Sequence, residues 1–312
     1  MNLILTKECS KRCSFCFTGE FSKETEMSLE FIEKVIGQFN TKDAHFKLLG
    51  GEPTQHSQFS NIINLLDRYH VSYSLISNLL FSNSTRTSIL GSNIESILCN
   101  GMELDKKNRL KVFSKNWKRL RKSVPYLSLA ITLDQQSTLD YFSKYLKYLL
   151  KELEYIPYIR IGYDLSGKYL LNNTYLGDII MGIRDASPLS KITWDCQVPP
   201  CTLNVSTFKV IQGDNITELF SCKYTPLDVF HDGSAIFCYP ESSLKVPNIF
   251  KYRDMGDLLK HFRQLYKQKE KVTSIPNECT NCDYYNSNEC NSLCLGCLKE
   301  NPSQYVVLKN TS

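Results

Sequence analysis

"LILTKECSKRCSFCF", residues 3–17, joins two signals in one stretch. Its first four residues are a short apolar run suited to a strand. The loop that follows places Cys9, Cys13 and Cys16 at C-x3-C-x2-C spacing. In a sheet of parallel strands, functional loops lie at the C-terminal ends of the strands, and this loop occupies such a position. The pattern then repeats. "FIEKVIGQF" (31–39) places Phe31, Val35 and Phe39 on one helical face, and "HFKLLGGEP" (45–53) is a buried strand ending in a glycine turn. A helix carrying Phe59, Ile62, Ile63, Leu66 and Tyr69 precedes the strand "VSYSLIS" (71–77). "IESILCNG" (94–101), "LSLAITLD" (127–134) and "YIRIGYDL" (158–165) complete the strands, with a helix presenting Leu139, Phe142, Leu146, Leu149 and Leu153 between the last two. Residues 81–101 carry the weakest pattern. Six strand–helix units in series imply a parallel sheet, open or closed into a barrel.

From residue 191 the alternation breaks into short segments punctuated by prolines. The cysteines divide at the same place: nine of the thirteen lie beyond residue 190. No apolar run approaches the ~18–20 residues that cross a bilayer, and no signal-peptide core is present, so the expected compartment is the cytoplasm. In that reducing setting an odd number of cysteines in short spacings argues for metal or iron–sulfur ligation over disulfides. The formal net charge of +5 permits an acidic partner without arguing for one.

Three thiolates in one loop are one short of a closed four-ligand site. A metal held there keeps a position open for substrate. With "LLGGEP" one strand later, the cysteine loop resembles that of the radical S-adenosylmethionine (SAM) enzymes. The resemblance implies that Cys9, Cys13 and Cys16 bind a 4Fe–4S cluster whose fourth iron site chelates SAM. Reductive cleavage would then give a 5′-deoxyadenosyl radical that abstracts hydrogen from a substrate. It further implies Phe15 near the adenine, Gly50 and Gly51 beside the methionine end, and Glu52 receiving the ammonium. Ser77 and Asn78 match the family's small polar pair after the third strand. Asn100 stands where relatives carry an acidic turn, and Asp134 is a substitute or a substrate contact. Cys99 is either a buried small hydrophobe or a thiol that donates a hydrogen atom to a substrate radical.

The tail resembles the SPASM extension of that family. Cys222, ten residues, Gly233, four residues and Cys238 match its first half in full. "CTNCDYYNSNECNSLCLGC" departs in the second half, with seven residues where the family has five. By position, Cys222, Cys238 and Cys294 would hold one auxiliary 4Fe–4S cluster, and Cys279, Cys282, Cys290 and Cys297 a second. Cys196 or Cys201 could complete the first, or it could stay open for substrate. Zinc knuckles are the competing account of these spacings.

The resemblance thus implies a partial (β/α)6 TIM-like barrel over residues 1–190 and a C-terminal cysteine-rich SPASM-like domain over 191–312. It implies an oxidoreductase or maturase acting on a ribosomally made peptide by crosslinking, thioether formation, epimerisation or oxidation. The alternatives are the same chemistry on a small metabolite or a sulfatase-type side chain, and a non-catalytic zinc- or cluster-binding interaction protein. Because the chain begins at its first strand, a separate peptide-recognition protein is expected, unless the substrate bears no leader. Flavodoxin or ferredoxin is the expected reductant; no membrane or nucleic-acid partner is expected. "KKNRLKVFSKNWKRLRK" (106–122) holds nine Lys or Arg and no acid, with Leu110, Phe113, Trp117, Leu120 and Val124 as an apolar stripe. It reads either as a helix with a solvated basic face or as a docking surface.

Overall fold

Six strand–helix pairs open the structure, a computed structural model that describes residues 1–13, 15–16, 26–104, 108–133, 139–163, 173–195, 227–273, 275, 277–288 and 290. The pairs are β1 (Asn2–Thr6) with α1 (Leu29–Phe39), β2 (His45–Gly50) with α2 (Phe59–Arg68), and β3 (Ser72–Ser77) with α3 (Asn83–Leu90). Then come β4 (Ser96–Asn100) with α4 (Arg109–Leu120), β5 (Tyr126–Leu133) with α5 (Leu139–Leu153), and β6 (Tyr158–Tyr163) with α6 (Asn173–Ala186). β7 (Lys191–Trp194), β8 (Asp228–Val229), β9 (Ala235–Ile236), β10 (Lys245–Val246) and α7 (Met255–Val272) follow. This alternation of parallel strands and helices is the partial (β/α) barrel class expected from the sequence.

The chain divides into two units. The first, Met1–Ala130 with Thr225–Tyr266, contains strands in the order β10-β9-β8-β1-β2-β3-β4-β5. Strands β1 to β5 pair in parallel, and β8 joins the free side of β1, also in parallel. β9 and β10 extend that edge as short antiparallel strands. The second unit, Ile131–Tyr224 with Lys267–Ser312, contains the parallel pair β6–β7. Its apolar residues Leu146, Leu149 and Leu153 on α5 and Ile179, Ile180 and Ile183 on α6 are buried.

Sequence pattern explains most of these elements. Helix α1 starts at Ser28, whose hydroxyl accepts the Phe31 N–H at 3.2 Å, and it buries Ile32, Val35, Ile36 and Phe39. Phe31 lies beside that stripe and meets Phe250 edge-on, with centroids 5.3 Å apart. The apolar face of α2 is Phe59, Ile62, Ile63, Leu65 and Leu66; Tyr69 caps its end and is exposed. The whole predicted stripe of α4, from Leu110 to Val124, is buried. Helix α3 is the element that the pattern hides. Of its residues only Ile89 is buried, and its start is fixed by a capping hydroxyl, Ser82, that accepts the Thr85 N–H. Asn116 of α4 ties this region together, donating to the carbonyls of Leu79 and Phe81 and accepting from Arg86.

Candidate functional site

A break in the pairing of β1 with β2 starts the site. Register shifts between Ile4 and Thr6, so that Thr6 stands opposite Gly50. Two backbone bonds of 2.7 Å then stitch the glycine turn to the cysteine loop, from Gly51 N–H to Thr6 O and from Glu52 N–H to Glu8 O. On the far side of the loop, Met27 N–H donates to Leu5 O at 2.8 Å. The glycines are dictated by this stitching. A Cβ on Gly50 would lie 2.3 Å from Thr6 O, and one on Gly51 2.3 Å from Glu8 O; Gly50 also has φ of +139°. The sequence assigned both glycines to the approach of a cofactor. The structure gives them a prior task, the approach of the chain to itself.

Glu52 is buried beneath the turn, 1% exposed. Its Oε1 accepts from the Thr54 hydroxyl at 2.6 Å, the Ser77 hydroxyl at 2.8 Å and the Thr54 N–H at 3.3 Å. Its Oε2 accepts the Asn78 N–H at 2.7 Å. Burial raises its pKa above the ordinary carboxylate value, against the pull of those donors. Glu52 therefore locks the ends of β2 and β3 to each other.

The thiols sit above this platform. Cys9 Sγ receives the Lys11 N–H at 3.4 Å and faces Asn78 Nδ2 at 3.8 Å, while Cys13 Sγ faces Asn100 Nδ2 at 3.9 Å. Burial pushes the Cys9 thiol up to about 11, and nearby Glu52, Cys13 and Cys16 add to the rise. Cys13 is raised too, chiefly by burial. Phe15 and Cys16 continue the loop, half-buried, with Cys16 N–H on Cys13 O at 3.2 Å. Three sulfurs within one loop, with those of Cys9 and Cys13 accepting backbone and amide N–H groups, form a donor set that suits an iron–sulfur cluster. Among the described residues no three His, Cys, Asp or Glu converge on a single metal ion.

Two residues of this site had no sequence signal. Lys11 is 1% exposed, and its ammonium reaches Asn100 O at 3.3 Å and Asn100 Oδ1 at 3.4 Å. That contact turns the amide so that its NH2 faces Cys13. Tyr239, from the segment after β9, lies near Cys16: burial first, then Asp228 and Cys16, raise its phenol pKa. Lys11 lies between Cys9 and Cys13 along the chain but owes its burial against Asn100 to the fold, and only the fold brings Tyr239 near Cys16.

The structure thus gathers Cys9, Cys13, Cys16, Gly50, Gly51, Glu52, Ser77, Asn78 and Asn100 at the ends of β1 to β4. Cys99 stands one residue before Asn100 on β4. Successive strand residues point to opposite faces, and Asn100 points to Cys13. Cys99, opposite Leu129 in register, is fully buried, with its S–H toward Ile97 O at 3.9 Å and its pKa raised well above normal by burial and by Glu52. Cys238 is half-buried after β9. Cys279 and Cys282 form a turn, Cys282 N–H on Cys279 O at 3.2 Å, and buried Cys290 donates its N–H to Tyr284 O. Asp134, Cys196, Cys201, Cys222, Cys294 and Cys297 lie outside the described residues.

The fold and the site define a class: a partial barrel of parallel strands with its chemistry at the strands' C-terminal ends. Residues 3–132 match the family model described as Radical SAM superfamily, and this part of the chain is a radical SAM domain. No curated protein sequence matches. Among solved structures, SuiB of Streptococcus suis bound to precursor peptide SuiA is similar at 18% identity and a TM-score of 0.65, covering 91% of this chain and 69% of SuiB. SuiB bound to S-adenosylmethionine gives 16% identity and 0.62, covering 91% of this chain and 70% of that one. The protein anSMEcpe, with bound AdoMet and Cp18Cys peptide, gives 15% and 0.60, covering 91% and 86%. At these identities the likeness is one of fold.

Proposed function

We propose that the chain is a radical SAM enzyme that abstracts hydrogen from a ribosomally made peptide, with Cys9, Cys13 and Cys16 holding a 4Fe–4S cluster. The observation that carries this reading is the set of three thiols in one loop, stitched by backbone bonds to the Gly50–Gly51–Glu52 turn and met by amide donors from Asn78 and Asn100. When bound, the cluster supplies one electron that cleaves SAM to methionine and a 5′-deoxyadenosyl radical. The chain's residues do the rest. Lys11 and Asn100 fix the thiol loop against β4, and Glu52 holds the ends of β2 and β3 at one spacing. Phe15, in the same loop, would pack on the adenine.

Residues 1–190 act as the barrel and 191–312 as a SPASM-like domain. There Cys222, Cys238 and Cys294, with Cys196 or Cys201, would hold one auxiliary cluster, and Cys279, Cys282, Cys290 and Cys297 another. A peptide substrate draws support from SuiB and anSMEcpe, whose structures contain peptides. The modification belongs to the crosslinking, thioether, epimerisation or oxidation classes, and the enzyme works in the cytoplasm. Among the described residues no helix is long and apolar enough to cross a membrane.

Anaerobic reconstitution tests the reading. About twelve irons per chain fit three cubane clusters, and Cys9→Ala/Cys13→Ala/Cys16→Ala lowers this to about eight. Reductant and SAM then release 5′-deoxyadenosine from the parent protein and none from the triple variant. Equal release from both, or zinc in place of iron, overturns it. Mass spectrometry of a short peptide encoded beside the gene, before and after incubation, checks the substrate class.

A further inference from the structure

The basic segment has no place in that chemistry, yet it follows β4, whose last residue, Asn100, touches the thiol loop. Residues 101–125 hold nine Lys or Arg against two acids, a net +7 that exceeds the +5 of the whole chain. Within α4 and the turn after it, Lys111, Lys115, Arg119 and Lys122 are exposed and recur at spacings of four, four and three. They form one row, running about 12 Å from Lys111 to Arg119 at the helical rise. Helix α3, which packs beside α4, carries Arg86 as its only charge. No acid on either helix neutralises the row.

The row begins near the thiols. Asn100, which touches both Lys11 and the Cys13 sulfur, precedes Arg109 by nine residues, and Met102 N–H closes on Asn100 Oδ1 at 3.0 Å. The entry to α4 is held by Leu110 N–H on Leu104 O and by Arg109 on Glu103 O. The Arg109 guanidinium is also close enough to act electrostatically on Lys11.

The surface chemistry selects the partner. The aromatics of α4, Phe113 and Trp117, are turned inward, so the row offers no platform on which bases could stack. Of its apolar residues only Val112 is exposed, which leaves no groove for an extended or helical peptide. A polar, single-signed face on the helix that follows the thiol-touching end of β4 fits a transient encounter steered by charge, the kind electron carriers make.

We propose that the exposed row Lys111–Lys115–Arg119–Lys122 is the docking surface for an acidic, low-potential one-electron carrier protein. Within the radical SAM reading, on which this rests, one electron leaves the reduced carrier and enters the cluster. The carrier is oxidised by one electron and the cluster is reduced by one.

The test compares two ways of delivering the electron. The probe is a flavodoxin of low isoelectric point, reduced photochemically; dithionite is the small-molecule control. In Lys111→Glu/Lys115→Glu/Arg119→Glu/Lys122→Glu, flavodoxin-driven release of 5′-deoxyadenosine falls by about tenfold or more at sub-saturating carrier, the scale of charge-steered association. The dithionite-driven rate stays within about twofold, because salt-screened surface charges leave a small reductant's access unchanged. Binding to flavodoxin by calorimetry weakens in step, and in the parent protein it weakens as salt rises. A matched set on α7, Lys260→Glu/Arg263→Glu/Lys267→Glu/Lys271→Glu, has neither effect. The four glutamine substitutions in α4 give the same direction of change and keep the helix intact. Unchanged flavodoxin binding in the α4 variants overturns the proposal, as does a loss that follows the α7 set. So does an α4 row that binds an acidic peptide or RNA while flavodoxin binds elsewhere. If dithionite yields no 5′-deoxyadenosine from the parent protein, the radical SAM reading fails, and calorimetry still reports on the docking surface.

Discussion

At the scale of single residues, the most consequential finding is that Glu52 spends its carboxylate inside the protein. Glu52→Gln keeps the shape but leaves an NH2 against either the Asn78 N–H or the Thr54 N–H. One buried donor then faces another, at a cost of about 1–3 kcal/mol. Urea unfolding of the cluster-free protein measures it, and an unchanged midpoint rejects the internal role. Cys9 gives a pH dependence. Its thiol, held near 11 by burial, ordinarily titrates at 9.0, so the fold favours the neutral form. The stability that this contributes is complete below pH 9 and drains away as pH climbs toward 11. The urea midpoint of the cluster-free protein therefore falls across that window, and Cys9→Ala removes part of the fall. The thiols, the glycines and Glu52 were legible in the sequence, because spacing and glycine pairs are local signals. The burial of Lys11 and the position of Tyr239 were not, since each depends on partners 89 or more residues away along the chain.

At the scale of elements, amphipathic periodicity located α1, α2, α4 and α5, whereas α6 and α7, which also bury apolar residues, were not read from the sequence. Helix α3 buries a single large residue and is defined by its cap, so periodicity had little to report. The predicted stripe of α1 was off by part of a turn, because Phe31 serves a side contact with Phe250. Caps are testable here. Ser28→Ala removes the acceptor of the Phe31 N–H and destabilises the protein by about 1 kcal/mol, read as a lower urea midpoint. Since α1 begins right after the cysteine loop returns to the sheet, fraying there also loosens the return.

At the scale of the whole molecule, the strand–helix count was visible in the sequence, but the destination of the late segments was not. β8 adds to β1 from 226 residues away, with Asn2 Nδ2 on Asp228 Oδ1 at 2.6 Å, and no local pattern signals a partner that distant. A chain truncated after residue 224 loses β8 and the Phe250 contact, leaving the β1 edge and part of α1 uncovered. Such an edge is a template for pairing between chains, and the truncated protein is expected to elute as aggregate in size-exclusion chromatography.

The stitched backbone beneath the thiols has a consequence for how the protein would report the state of its cofactor. The amide protons of Gly51, Glu52 and Met27 are engaged by the carbonyls of Thr6, Glu8 and Leu5, just ahead of the first cysteine. They can trade with deuterium only when that segment lifts. Their isotope uptake would therefore slow on loading and quicken on oxidative loss, a clock for site integrity that runs without substrate, colour or turnover.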